Sequence, residues 1–152
     1  MNLKQCLTLV PPIWKSQSRI FGEACEYWVE SNISCHKCSG KLIKLRANEK
    51  SIDCRCSSCG EEYQVKSRKQ KIVNTKNKIK ITGAEYKTTL SKIGIWNLIV
   101  IQYEINTYSV VDYKIIDKDF ITASCVFPRK PLGPKARRAG WQGCYLIFEN
   151  IS

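Results

Sequence analysis

Residues 35–66 read CHKCSGKLIKLRANEKSIDCRCSSCGEEYQVK, a stretch that contains two Cys-x-x-Cys pairs. Cys35 and Cys38 form the first pair, and Cys56 and Cys59 form the second pair after 17 intervening residues. Each pair can place two thiolates one tetrahedral edge apart, so the two pairs together close a four-sulfur site. Because four protein ligands leave no open coordination position, the motif predicts a structural zinc ion. A redox dithiol would require only one pair.

Two glycines and the only histidine accompany these pairs. Gly40 and Gly60 each follow a second cysteine closely, where the turn of a zinc knuckle needs an unusual backbone conformation. His36 lies inside the first knuckle and could replace a cysteine as ligand, but four cysteines suffice, so we expect it to be exposed and non-ligating.

The other cysteines indicate a reduced compartment. The total of nine is odd, and Met1 to Val10 show no secretory signal, so we expect a cytoplasmic protein without disulfides. We interpret the five scattered cysteines as small buried apolar side chains. They are Cys6, Cys25, Cys54, Cys125 and Cys144.

Three polar residues flank the second knuckle. Asp53 precedes it in a short predicted strand, and Gln64 and Lys66 follow it on one face of the next strand, because strand side chains alternate. An acid, an amide oxygen and a lysine on one side of a sheet suit Mg²⁺-assisted phosphodiester hydrolysis. Glu62 shares that face and could add a ligand. A solvated polar strand face is the alternative for all of them.

The rest of the chain predicts an α/β fold with one domain over residues 1–152, including a zinc ribbon at 35–59. Hydrophobic periodicity predicts helices at 18–31 and 83–93, and a short helix at 117–121. Strands are predicted at 41–46, 51–54, 62–67, 95–105, 110–116 and 144–148. We expect an irregular lead-in at 1–16 and loops at 74–80 and 128–143.

The formal net charge of +12 points to an acidic partner. Nucleic acid is the first candidate and an anionic membrane surface the second, and no apolar run approaches the roughly 20 residues of a spanning helix. Residues 66–92 hold nine basic residues and one acidic residue. We expect this stretch to supply phosphate contacts and no membrane association.

A second basic segment, residues 129–142, mixes positive charge with an aromatic ring and an amide. Long basic side chains bind phosphates, glutamine can contact the edge of adenine, and tryptophan can pack on an added methyl group. A solvated loop is the alternative for the basic residues, and a core position is the alternative for the tryptophan. The candidate DNA-binding residues are Arg129, Lys130, Lys135, Arg137, Arg138, Trp141 and Gln142.

Two patterns resemble known nucleases. The spacing D-x10-Q-V-K at residues 53–66 resembles the Q-x-K variant of the PD-(D/E)xK superfamily. Residues 129–144, RKPLGPKARRAGWQGC, and the run EEYQVKS at 61–67 resemble the DpnI/Dam-replacing family. The resemblance spans roughly residues 20–145, nearly the whole chain.

This resemblance implies a PD-(D/E)xK-like mixed sheet flanked by helices and a restriction endonuclease that cuts duplex GATC sites carrying N6-methyladenine. Asp53 and Gln64 would bind catalytic Mg²⁺ or Mn²⁺, Lys66 would be the active-site lysine, and Trp141 would meet the methylated base. Two features depart from the family. Gln64 stands where the family has glutamate, and we expect no C-terminal winged-helix domain.

Three functions follow as hypotheses. The first is a metal-dependent endonuclease specific for adenine-methylated DNA. The second is a catalytically weak or inactive zinc-ribbon DNA-binding module, which Gln64 favours. The third is an RNA-binding zinc ribbon.

Overall fold

The computed structural model of this chain describes residues 1–46, 52–129, 133–135, 140 and 142–149. Its helices are α1 (Leu3–Leu7), α2 (Gln17–Asn32) and α3 (Tyr86–Ser91). Its strands are β1 (Leu42–Lys44), β2 (Cys54–Cys56), β3 (Glu62–Arg68), β4 (Lys78–Glu85), β5 (Asn97–Glu104), β6 (Ser109–Ile116), β7 (Val126–Pro128) and β8 (Gly143–Glu149). Two 3-10 turns cover Lys118–Phe120 and Ala123–Cys125. The fold is therefore mixed α/β, as the sequence predicts.

Contacts divide the chain into two compact units. The first comprises Met1–Ile72 and Trp96–Ile116, and the second comprises the described residues of Val73–Ile95 and Asp117–Ser152. A single domain over the whole chain stays a prediction.

The first unit contains a five-stranded mixed sheet in the order β1-β2-β3-β5-β6. β3 and β5 are parallel, and the other neighbouring pairs are antiparallel. Residues 97–101 of β5 are all buried, which explains their nearly continuous apolar sequence. β5 is thus a central strand, and β3, which carries Gln64 and Lys66, lies beside it.

Helix α2 covers one face of this sheet. Its buried residues are Phe21, Ala24, Cys25 and Val29, a spacing of three and four residues that defines one helical face. They pack with buried residues of β3 and β5 in one apolar cluster. Tyr27 and Trp28 also pack against this cluster. Both lie at its margin and are half-buried, because their large amphipathic rings can keep contact with solvent.

The N-terminal segment, residues 1–16, contains more regular structure than the sequence predicts. Asn2 accepts a hydrogen bond from the backbone of Gln5, and the Gln5 side chain accepts one from the backbone of Asn2, so a capping box begins α1. Leu3 and Cys6 then bury against the same apolar cluster as α2. The prediction of an irregular segment at 1–16 is therefore wrong over Leu3–Leu7, where five residues are too few for a periodic signal.

The second unit is built on a three-stranded antiparallel sheet in the order β4-β8-β7. Within the predicted helix at 83–93, only Tyr86–Ser91 is helical. The predicted loop at 74–80 ends before Lys78, where β4 begins. Gly83 lies within β4, and only glycine fits there without displacing a neighbour, since a Cβ would lie 2.7 Å from the Cys144 sulfur. Cross-strand packing thus decides a segment that local propensity assigned to helix.

Buried thiols occur as predicted at four of the five positions outside the zinc motif. Cys6, Cys25, Cys54 and Cys144 are buried, and Cys125 is half-buried. None of the helices among the described residues is long and apolar enough to span a membrane.

Candidate functional site

The four cysteines of the knuckles converge in the first unit. All four sulfur atoms lie within 4.8 Å of one another. Cys35 Sγ lies 3.6 Å from Cys59 Sγ, and Cys38 Sγ lies 3.4 Å from Cys56 Sγ. Tetrahedral Zn–S bonds of about 2.3 Å require sulfur–sulfur edges of about 3.8 Å. The cluster therefore has the donor set and nearly the dimensions to hold a metal such as zinc.

The knuckle backbones orient these sulfurs. The amide of Gly40 donates to Cys38 Sγ at 3.4 Å, and the amide of Ser58 donates to Cys56 Sγ at 3.4 Å. Gly60 has φ 81°, as its position predicts, but in the first knuckle the positive φ of 63° belongs to Ser39. Gly40 is needed for space, since a Cβ there would lie 2.9 Å from Cys56 Sγ.

The ribbon is tied to the sheet through Tyr63 of β3. The buried Tyr63 hydroxyl donates to Cys35 Sγ at 3.2 Å. It also pairs with His36 Nδ1 at 2.5 Å. His36 is exposed and stands outside the cysteine cluster, as the sequence predicts. Tyr63 thus couples the candidate metal cluster to the strand that carries Gln64 and Lys66.

Asp53 lies directly before β2, at the edge of β3. Its amide donates to the Tyr63 carbonyl at 2.9 Å, and its Oδ2 accepts from the Val65 amide at 2.7 Å. These bonds hold Asp53 beside Gln64. Burial raises the pKa of Asp53, while the Val65 amide and the Lys66 ammonium oppose that shift. The structure therefore places Asp53 beside β3, with Lys66 close enough to act on its carboxylate.

β3 presents its two faces differently. Tyr63 and Val65 pack in the apolar cluster with α2. Ser67 lies on the same face and also approaches α2, since a Cβ on Gly22 would lie 3.7 Å from its Oγ. Because side chains alternate, Gln64 and Lys66 lie on the opposite face of the strand, where both are half-buried.

A cavity of about 270 Å³ opens beside Asp53 on the side of α2. Most of its lining residues are charged, which is unusual for a cavity that only fills a packing gap. The lining residues are Trp14, Arg19, Gly22, Glu23, Glu26, Lys44, Arg46 and Asp53. Sequence reasoning selected only Asp53 from this set, although the i, i+3 spacing of Glu23 and Glu26 on a predicted helix was a usable signal.

Lys44 of β1 connects the acidic side chains of α2. Its side chain is 9% exposed, and its ammonium lies 3.6 Å from Glu23 Oε1 and 4.0 Å from Glu26 Oε1. The backbone amide of Lys44 donates to Glu30 Oε2 at 2.5 Å. Glu23 also accepts a hydrogen bond from the indole of Trp14. Lys44 thus contacts three glutamates of α2, two of which line the cavity together with Arg19 and Arg46.

Glu26 is one of three acids in a cavity lining that also holds three cationic side chains, Arg19, Lys44 and Arg46. Burial raises its pKa to about 8, with a further contribution from Asp53, while Lys44 acts in the opposite direction. Carboxylate oxygens are hard donors of the kind that Mg²⁺ and Mn²⁺ prefer, and Asp53 offers such a donor beside β3.

The candidate DNA-binding segment lies in the second unit. The amide of Arg129 donates to the Gly143 carbonyl at 3.1 Å, and the Arg129 side chain covers Gly143 so closely that a Cβ there would collide with it. Lys135 and Gln142 are exposed, as phosphate or base contacts must be. The remaining four predicted contacts lie outside the described residues: Lys130, Arg137, Arg138 and Trp141.

The first unit thus combines a mixed sheet, a cysteine cluster that could hold a metal ion, and Asp53 beside a charged cavity. The model of the DpnI Dam-replacing family matches residues 1–152, the whole chain. The protein therefore belongs to this family. Membership implies a restriction endonuclease that acts on methylated DNA.

Proposed function

We propose that this protein is a Mg²⁺- or Mn²⁺-dependent type II restriction endonuclease that cleaves duplex DNA at GATC sites carrying N6-methyladenine, and that it works in the cytoplasm. The observation that carries the proposal is the placement of Asp53 against β3, with the Lys66 ammonium near enough to oppose the rise in the Asp53 pKa that burial causes. We further propose that the first unit has a PD-(D/E)xK nuclease fold. Its mixed sheet, covered by α2 and carrying Asp53 and Q-x-K on adjacent segments, supports this.

In the proposed reaction, Asp53 and Gln64 would hold the divalent ion, which would supply Lewis-acid stabilisation of charge on the scissile phosphate. The Val65 amide fixes the Asp53 carboxylate at 2.7 Å, so no reorganisation of that ligand is needed. Lys66 neutralises charge that develops on the phosphate in the transition state. The four-cysteine cluster takes no part in the chemistry, because a structural zinc ion with four thiolate ligands has no open position.

A DNA-binding module without cleavage activity is the second candidate. Gln64 favours it, because an amide oxygen binds a divalent ion more weakly than a carboxylate does. Such a module and an active enzyme both bind DNA, but only the enzyme breaks phosphodiester bonds when metal is added.

The test uses 5′-labelled duplexes with one GATC site, either methylated at adenine on both strands or unmethylated. Binding is measured by fluorescence anisotropy in EDTA, and cleavage is followed after addition of Mg²⁺ or Mn²⁺. We expect cleavage of the methylated duplex alone. Preferential binding without cleavage in either metal would instead establish the module.

Residues 129–142 give a further prediction, because losing a phosphate contact and losing the contact to the methyl group should change DNA binding in different ways. Lys135→Ala should weaken binding to all duplexes and reduce the salt dependence by about one unit of log–log slope, as expected for one lost phosphate contact. Trp141→Ala should reduce the preference for methylated DNA and leave general affinity nearly unchanged. Since burying one methyl group is worth on the order of 1 kcal/mol, the lost preference should be below about tenfold.

Anisotropy titrations at several salt concentrations measure both effects. Lys4→Ala, a change at an exposed lysine of α1, serves as the control for loss of one positive charge. Equal affinity of the parent protein for methylated and unmethylated duplexes, unchanged in Trp141→Ala, would refute the methyl-reading role.

A further inference from the structure

We propose that the outer face of the three-stranded sheet binds single-stranded DNA, with Phe127 and Tyr145 as the rings on which its bases stack. The outer face is defined by the side chains of β4, β7 and β8 that are not buried in the second unit. The inference does not depend on the proposed cleavage reaction, because all residues it uses belong to the second unit, whereas Asp53 and Lys66 belong to the first.

The two faces of this sheet differ in burial. In β8, Leu146 and Phe148 are buried, whereas Tyr145 and Ile147, which alternate with them, are half-buried. β4 follows the same alternation, with buried isoleucines on the inner face and the exposed Lys80 on the outer face. The sheet therefore has an inner face that is buried and an outer face that a ligand can reach.

The outer face carries aromatic rings that the fold does not bury. Phe127 of β7 stands directly opposite Tyr145 of β8 in the strand register, and the side chains of opposite residues lie on the same face. Phe127 is 44% exposed, and Phe120 of the preceding 3-10 turn is 68% exposed. Both phenylalanines and Ile147 line a cavity of about 270 Å³. Contiguous exposed apolar side chains of this kind mark binding surfaces.

Positive charge borders the rings. The Lys80 ammonium lies 4.2 Å from the centroid of the Tyr145 ring, a cation–π contact. The Arg129 side chain covers Gly143, which precedes Tyr145 by two residues on the same face of β8. Because the lysine side chain is flexible, its ammonium can move to a phosphate when a base takes its place on the ring. The ligand therefore combines flat rings with negative charge.

The acids at the two ends of this face already have partners. Glu149 Oε1 lies 2.9 Å from the Lys78 ammonium. Glu85 Oε1 accepts a hydrogen bond from the Thr88 hydroxyl at 2.8 Å. Lys78 thus offsets the charge of Glu149, and the acids do not cancel the cations beside the rings.

Single-stranded DNA fits both features of the outer face. Its unpaired bases offer free faces for stacking on aromatic side chains, and its backbone is anionic. In a duplex the neighbouring base pairs cover these faces, so a duplex can offer little more than its phosphates. An anionic membrane surface also combines apolar and negative groups, but proteins bind it mainly through amphipathic helices, and this face belongs to a sheet.

The test is fluorescence anisotropy with a labelled oligothymidine of about 12 nucleotides and the zinc-loaded full chain, without added Mg²⁺ or Mn²⁺. We expect Phe127→Ala and Tyr145→Ala each to weaken binding about tenfold, since each removes the partner of one stacked base. Phe127→Tyr and Tyr145→Phe keep the rings and should bind nearly as the parent does. Tyr113→Ala, at a tyrosine of β6 that is 45% exposed, is the control for loss of an exposed ring and should not change the affinity. Circular dichroism checks that each variant is folded.

The outcomes separate this inference from the proposed function. Folded Phe127→Ala and Tyr145→Ala variants that bind oligothymidine as tightly as the parent would overturn the stacking role. Sedimentation of the parent with phosphatidylserine vesicles, together with no binding of oligothymidine, would identify a membrane surface as the ligand and would also overturn it. A parent that binds oligothymidine through these rings but does not cleave methylated DNA would support the inference and refute only the endonuclease proposal.

Discussion

Asp53→Asn is expected to lower the rate of DNA cleavage by at least roughly a thousandfold, because the loss of a charged metal ligand removes several kcal/mol of transition-state stabilisation at about 1.4 kcal/mol per tenfold. The substitution preserves shape, and its amide oxygen can still accept from the Val65 amide, so the fold should survive. Single-turnover cleavage of a methylated duplex in saturating Mg²⁺ measures the effect.

Two further variants belong to this experiment. Asp112→Asn, at an exposed carboxylate of β6, is the matched control and should cut at nearly the parental rate. Gln64→Glu should retain or raise cleavage and lower the metal concentration required, since it adds a carboxylate beside Asp53. If Asp53→Asn cuts as fast as the parent protein, the catalytic centre has been misplaced.

Cys56→Ser is expected to unfold the first unit. Structural zinc binding contributes on the order of 10 kcal/mol, which is comparable to the whole stability of an ordinary domain. The effect should spread beyond the ribbon, because Cys56 belongs to β2 and the cluster is bonded to Tyr63 of β3. Elemental analysis should find about one zinc ion per chain in the parent and none in the variant, whose circular dichroism should lose its cooperative thermal transition.

Cys125→Ser provides the control for loss of a thiol. Cys125 is half-buried and lies outside the cysteine cluster, so this variant should keep its zinc and its thermal transition. A parent protein that is fully folded without metal, or a Cys56→Ser variant that unfolds at the parental temperature, would contradict a structural role for the cluster.

The sequence predicts those parts of the fold that carry strong local or spacing signals. The two Cys-x-x-Cys pairs correctly indicate a four-cysteine cluster, because ligand spacing within a knuckle is fixed by covalent geometry. The apolar run at 95–105 correctly predicts the central strand β5, and the periodicity at 18–31 predicts α2.

Other elements depend on contacts between distant segments. Gly83 and Ala84 read as the start of a helix, yet they continue β4, because the residues on either side of them, Thr82 and Glu85, pair with β8. The hydrogen-bonded turn of α1 is similarly stabilised by burial of Leu3 and Cys6, which a five-residue window does not reveal.

The same distinction applies to the candidate site. Asp53 and Lys66 were found because a turn joins their segments and strand side chains alternate. Lys44 and the glutamates of α2 were missed, since they meet Asp53 only through tertiary packing of α2 and β1 on the sheet. In the sequence, the glutamates of α2 are typical of a solvated helix face. The buried position of Lys44 beside them shows that this face is packed against the sheet.

The most direct test of the central claim is to map cleavage ends on plasmid DNA. The parent protein is incubated with Mg²⁺ and the same plasmid, prepared from an adenine-methylating host and from a host that lacks this methylation, and the new ends are sequenced. We predict discrete ends at GATC sites of the methylated plasmid and an intact unmethylated plasmid. Equal cutting of both plasmids, or no cutting of either with the protein folded and loaded with zinc, would contradict the account.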